Sequence, residues 1–108
     1  MNLDDKGPCD VAYAGVAAAF AEDAALAFAG PSARTLPCPR WEDAFDAVES
    51  GAASFAAIPI ENTLAGSVLA SYDLLGARTL TVAGEVVLRV SHALIAPHGV
   101  RFEAVRRV

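Results

Sequence analysis

Basic side chains are scarce in this sequence: eight Lys and Arg stand against thirteen Asp and Glu, a formal net charge of −5 over 108 residues. Only the tail, with Arg101, Arg106 and Arg107, turns basic. A chain without a basic stripe has little with which to neutralise phosphates, which argues against nucleic acid or an anionic membrane surface as partner. Long apolar runs are missing too, and no stretch reaches the ~18 residues of a membrane span. Met1-Asn2-Leu3-Asp4-Asp5-Lys6 lacks the charged-then-apolar pattern of a secretion signal, so a soluble, cytoplasmic protein is expected. Cysteine is limited to Cys9 and Cys38, which have no metal-ligand spacing, and no cysteine nucleophile is indicated. The two are expected at opposite ends of a parallel sheet, too far apart for a disulfide, and hence reduced. Aromatics make up only 7% of a chain that is 55% apolar, and alanine fills much of that share. Alanine buries little area, so the core is expected to rest on Phe20, Phe28, Trp41, Phe45, Phe55 and Tyr72 with the Val, Leu and Ile set.

What is present is an alternation of strands and helices. Residues 10–14 suit a buried first strand. Val16, Phe20, Ala24, Ala27 and Phe28 recur at helical spacing, and Gly30-Pro31 ends that helix. Thr35-Leu36 is a minimal second strand. Trp41, Ala44, Phe45 and Val48 form the next apolar stripe, read as core, closed by Gly51. Arg40 is a poor N-cap there, although Glu42 and Asp43 suit the first turn. The continuous apolar run 54–60 fits a third strand buried on both faces. From 79 to 96 the pattern changes. Leu80, Val82, Val86, Leu88 and Val90 alternate with Thr79, Thr81, Glu85 and Arg89, which predicts a long half-exposed strand bent at Gly84. His92 falls in its apolar phase and is expected half-buried; His98, in Pro97-His98-Gly99, reads as an exposed turn residue. Such an order implies an α/β fold with a mostly parallel sheet and flanking helices.

The most informative stretch is Pro59-Ile60-Glu61-Asn62-Thr63-Leu64-Ala65-Gly66-Ser67-Val68. An apolar run stops at a cluster of hydrogen-bonding side chains, and an amphipathic segment follows almost at once. A helix start offers unpaired backbone N–H groups and the positive end of its dipole. Asn62, Thr63 and Ser67 add neutral donors, and Gly66 lets a ligand approach the backbone. The spacing points to a site for something small and carboxylated. Asn62 and Thr63 serve equally well as a turn and cap pair, and Ser67 as a surface hydroxyl. Glu61 beside an anion would repel it, so a structural or hinge role is expected for it.

The same stretch resembles the Pro-Ile/Val-Glu-Asn-Ser/Thr signature of the prephenate dehydratases. Val11-Ala12-Tyr13 with Gly15, Glu42-Asp43 with Phe45, Ala47-Val48-Glu49, Gly84-Glu85-Val86-Val87 and Val90-Ser91-His92-Ala93-Leu94 follow the family's order and spacing. The resemblance covers nearly the whole chain, and the chain covers about the first half of the family's catalytic domain. It implies one lobe of a two-lobed fold like the periplasmic binding proteins, with residues 9–78 as the lobe and 79–108 as long strands leading to a second. It also implies the loss of carbon dioxide and the ring hydroxyl from prephenate, driven by aromatisation without a cofactor. Asn62, Thr63, Gly66, Ser67 and Glu61 then become substrate-binding candidates, while the family's Thr-Arg-Phe motif and regulatory domain belong to the missing part. No catalytic residue is assigned in this half.

One departure stands out. Where the family has a loop like Tyr-Gln-Gly-Val-Pro-Gly-Ala-Phe-Ser-Glu, this chain has Tyr13-Ala14-Gly15-Val16-Ala17-Ala18-Ala19-Phe20-Ala21-Glu22. Alanine replaces glutamine, proline, the second glycine and serine, and two donors are lost. The expected reading is a dehydratase lobe inactive on its own. Two alternatives are a non-catalytic module that binds an aromatic or keto acid, and a structural fragment that self-associates. Unpaired edges over 79–96 predict a homodimer, with exchange of these strands as one route.

Overall fold

The computed structural model describes residues 9–108; the acidic segment Met1-Asn2-Leu3-Asp4-Asp5-Lys6 lies outside them. Strand β1 (Cys9–Ala14) leads through a loop to α1 (Phe20–Ala29), β2 (Thr35–Cys38), α2 (Trp41–Glu49) and β3 (Ala53–Ala57). A short hairpin of β4 (Glu61–Asn62) and β5 (Gly66–Ser67) precedes α3 (Leu69–Ala77), and a single 3₁₀ turn spans Phe102–Ala104. The three longer strands make a parallel sheet in the order β2-β1-β3, as the alternation predicts. β2 runs further than expected, through Pro37 to Cys38. Among the described residues it pairs only with β1, so the missing N–H of Pro37 can face the open edge. β3 is shorter than expected, because the run ahead of Pro59 leaves the ladder at Ala57.

β1 is the centre of the fold. Val11, Ala12 and Tyr13 are all but inaccessible, so both faces of the strand are covered. Ala44, Phe45 and Ala47 of α2 and Ala25 of α1 are buried as well. The α2 stripe is core at Ala44 and Phe45 as read, whereas Trp41 and Val48 at its two ends are only half-buried. Of the expected aromatic core only Phe45 is buried. Phe28, Trp41 and Phe55 are half-buried, and Phe20 and Tyr72 are exposed. Alanines occupy the closest approaches instead, with Ala12, Ala44, Ala47 and Ala53 grouped around Cys38. On α1 the stripe begins too early in the sequence reading: Val16 lies in the loop, 74% exposed, and the helix starts only at Phe20.

Arg40 is the N-cap of α2 despite its chemistry. Asp43 supplies what Arg40 lacks, accepting from the Arg40 backbone N–H at 3.1 Å and from its guanidinium at 3.0 and 3.2 Å. At the opposite edge of the sheet, the Asp10 carboxylate accepts from the Arg34 backbone N–H at 2.7 Å and from its guanidinium at 3.1 Å, tying the foot of β1 to the foot of β2. Cys38 lies beside Ala14 while Cys9 lies beside Ala53, at opposite ends of β1, and both thiols are free.

Residues 79–96 form no strand, contrary to the alternation. An extended segment becomes a strand only by pairing its backbone, and none of the described residues is paired with it in a ladder. The segment passes back along α1. A Cβ at Gly84 would stand 3.1 Å from the Phe28 ring, so the glycine makes room for that ring rather than a strand bend. His92 meets Phe20 edge-on at 6.0 Å between ring centres and is exposed, not half-buried. His98 is exposed in a turn, as read.

Candidate functional site

All three parallel strands end at one edge, the edge where open α/β sheets hold ligands. β1 is followed there by the loop 15–19, β2 by Pro39 and Arg40, and β3 by the hairpin. An open cavity of about 370 Å³ lies between the first two, lined by Ala14, Gly15, Pro39, Arg40, Trp41 and Glu42. Its cation, Arg40, is engaged by Asp43, which holds the guanidinium's pKa above its ordinary value; Arg40 in turn holds the Asp43 carboxyl below its own. The Cys38 thiol near this edge is pushed up by burial, away from thiolate chemistry.

The loop is tightly specified. The Gly15 N–H donates to the Cys38 carbonyl at 2.9 Å and the Ala19 N–H to the Val16 carbonyl at 3.2 Å. Ala18 has φ +69°, a left-handed conformation that disfavours any residue with a Cβ. Ala18 stands where the glycine is expected from the resemblance, and the backbone there has kept the shape a glycine suits. Beneath the loop, Tyr13 is fully buried and its phenol donates to Glu22 Oε2 at 2.6 Å. Burial first, then the Glu22 carboxylate, push the phenol up to about 12.

The five residues read as substrate-binding all fall on the hairpin. Glu61 faces Ser67 and Asn62 faces Gly66 across it, and the Val68 N–H closes on the Ile60 carbonyl at 2.8 Å. Asn62 Oδ1 accepts from the Leu64 and Ala65 N–H groups at 2.9 and 3.1 Å, which builds the turn. Its amide nitrogen and the hydroxyls of Thr63 and Ser67 remain at an exposed surface. Gly66, at φ +81°, closes the turn. Helix α3 starts directly after, capped by Val68 without a side-chain bond. None of the five lines the cavity, so the edge carries two separate polar features.

Sequence reasoning missed the Tyr13–Glu22 pair and the cavity walls Arg40 and Trp41. Tyr13 and Glu22 are nine residues apart, across a loop and a helix start, and no helix or strand periodicity links such positions. Among the described residues, no group of three or more His, Cys, Asp and Glu is placed to hold a metal ion, and no helix is long and apolar enough to cross a membrane.

The prephenate dehydratase family model matches residues 11–108. The arogenate dehydratase/prephenate dehydratase 2 of Arabidopsis thaliana is 47% identical over 91% of the chain, which spans 26% of that protein. Arogenate dehydratase 3 of the same plant is 48% identical, with 100% of the chain covered and 27% of that protein. The bifunctional chorismate mutase/prephenate dehydratase of Neisseria gonorrhoeae is 37% identical over 94% of the chain and 28% of that protein. The chain thus spans about a quarter of the length of each. With that family model matched over almost the whole chain and the hairpin signature in place, and in spite of the alanine-substituted first loop, it belongs to the prephenate dehydratase family.

Proposed function

We propose that this chain supplies one side of the substrate site of a dehydratase that converts prephenate to phenylpyruvate. The observation that carries the reading is the hairpin at the ligand-binding edge, with Asn62, Thr63 and Ser67 exposed on it beside Gly66. In the reaction the bond from ring carbon to carboxylate breaks, its electron pair enters the ring, and the ring hydroxyl leaves as water after taking a proton. Neutral donors suit this chemistry. They orient a carboxylate without stabilising it so strongly that loss of carbon dioxide slows. Glu61, directly across from Ser67, serves the hairpin rather than the anion.

One lobe holds substrate from one side only and leaves water at the other, so this chain alone binds without turnover. Prephenate incubated with the pure chain should yield phenylpyruvate no faster than in buffer. Adding the remaining length of the Arabidopsis relative in trans should raise the rate. Turnover by the chain alone contradicts the one-sided site, and a silent mixture contradicts the dehydratase reading. Arogenate is the second reading, favoured by the higher identity to proteins bearing that name; the same assay then reports phenylalanine.

We also propose that the chain self-associates. Val82, Val87, Leu94 and Ile95 are exposed along an extended segment, and the outer edge of β3 is unpaired among the described residues. A second copy that lays this segment on that edge covers both, and a cytoplasmic protein of this acidity stays soluble as such a dimer. Sedimentation at micromolar concentration should report twice the monomer mass; a concentration-independent monomer contradicts it.

A further inference from the structure

Tyr13 is wholly enclosed, yet its hydroxyl reaches out of β1 to the first turn of α1. The two residues bracket the loop whose first residue, Gly15, lines the cavity: Tyr13 precedes Ala14, and Glu22 lies three residues after Ala19, in the first turn of α1. Within the bracket, Ala18 sits at φ +69°. A left-handed alanine persists only where its surroundings over-determine it. Besides the helix-start bonds that the Glu22 and Asp23 N–H groups donate to the Ala19 carbonyl, three bonds restrain the loop: Gly15 to Cys38, Ala19 to Val16, and Tyr13 to Glu22. The first two are local backbone contacts that a relaxed loop can replace with water. The third is charge-assisted, short and shielded on the donor side, and so the hardest to exchange. The Tyr13 ring also supports the loop from below, since a Cβ at Gly15 would stand 3.9 Å from it.

We infer that Tyr13 and Glu22 are positioning residues, a latch that holds loop 15–19 in its observed shape, with Gly15 at the cavity, against the strain at Ala18. Where the sequence would carry glycine at that position, no such latch is needed; the alanine makes the loop depend on it. The inference rests on the proposed function only for which ligand reads the loop. Loop shape and ligand affinity are therefore measured separately.

The test uses the 108-residue chain with Tyr13→Phe, Glu22→Gln and the double variant Tyr13→Phe/Ala18→Gly. Backbone amide shifts report the loop, titration with phenylpyruvate reports affinity, and a thermal melt reports folding. Tyr13→Phe should move the amides of residues 15–19 and weaken phenylpyruvate about tenfold, the scale of one lost charge-assisted hydrogen bond. Glu22→Gln keeps an acceptor but loses the charge, so it should weaken phenylpyruvate about threefold, between the parent and Tyr13→Phe; no change at all would contradict the charge-assisted bond. The double variant should recover both readouts, because glycine holds the left-handed shape unaided. If Tyr13→Phe fails to fold, Glu22→Ala removes the acceptor from the more exposed side and is read in the same way. Loop amides that stay in place in Tyr13→Phe, or a double variant no better than the single, overturn the latch. Loop amides that move and recover as expected uphold it even if the parent binds no phenylpyruvate, and in that case the proposed function fails instead.

Discussion

Arg78, the residue that ends α3, donates to Asp46 on α2 at 2.7 Å and holds the two helices together. The same nitrogen reaches Glu49 at 3.2 Å, and the guanidinium lies 5.8 Å from the centre of the Phe45 ring. Helix α3 carries the hairpin at its foot, so this clasp fixes the hairpin relative to the sheet. Arg78→Ala should speed hydrogen exchange across α3 severalfold while β1 amides keep their protection. Added salt should move the parent the same way, since both carboxylates are reached by solvent. Equal exchange in parent and variant would show that α3 is held by something else.

Phe45 and Phe20 make a contrasting pair. Phe45 is 2% exposed and Phe20 42%. Phe45→Ala should cost about 3–5 kcal/mol, enough to unfold much of the population, whereas Phe20→Ala should cost under ~1 kcal/mol. Urea midpoints measure both, and similar losses at the two sites would contradict the core assigned here.

Ala18→Gly alone should raise stability by about 0.5–1 kcal/mol. Relief of the left-handed conformation outweighs the added freedom of glycine in the unfolded chain. A denaturant midpoint lower than the parent's would mean that Ala18 is not left-handed in solution.

Stability should fall at both ends of the pH range, for opposite reasons. Tyr13 titrates near 12 in the fold against an ordinary 10, so its contribution is whole below 10 and disappears as pH rises through 12. The Arg34 backbone N–H, and then its guanidinium, hold the Asp10 carboxyl below its ordinary 3.8. That contribution is whole above 3.8 and disappears as pH falls through the lowered value. Tyrosinate absorbance should show a late phase that Tyr13→Phe removes. A complete titration by pH 11 in folded protein would contradict the buried bond.

The parallel sheet was legible because each strand and helix carries its own period and stop, as with Trp41, Ala44, Phe45 and Val48 before Gly51. Residues 79–96 were not, because alternation describes which faces a strand can offer and not whether a partner exists to pair with it. The aromatic core was overestimated for a related reason. In an alanine-rich lobe the tightest contacts go to Ala12, Ala44 and Ala53, and larger rings such as Phe20 are left outside. At the site, the motif around Asn62 was plain in the sequence, while Tyr13–Glu22 needed the loop's path in space.

We propose that the C-terminal edge of the sheet, with its hairpin, holds a small aromatic carboxylate. Amide chemical-shift mapping of the chain with phenylpyruvate tests it most directly. Saturable shifts should appear first in residues 61–68 and next in the loop 15–19. Shifts confined to the surroundings of His92 and His98, with residues 61–68 unmoved at saturation, would contradict it.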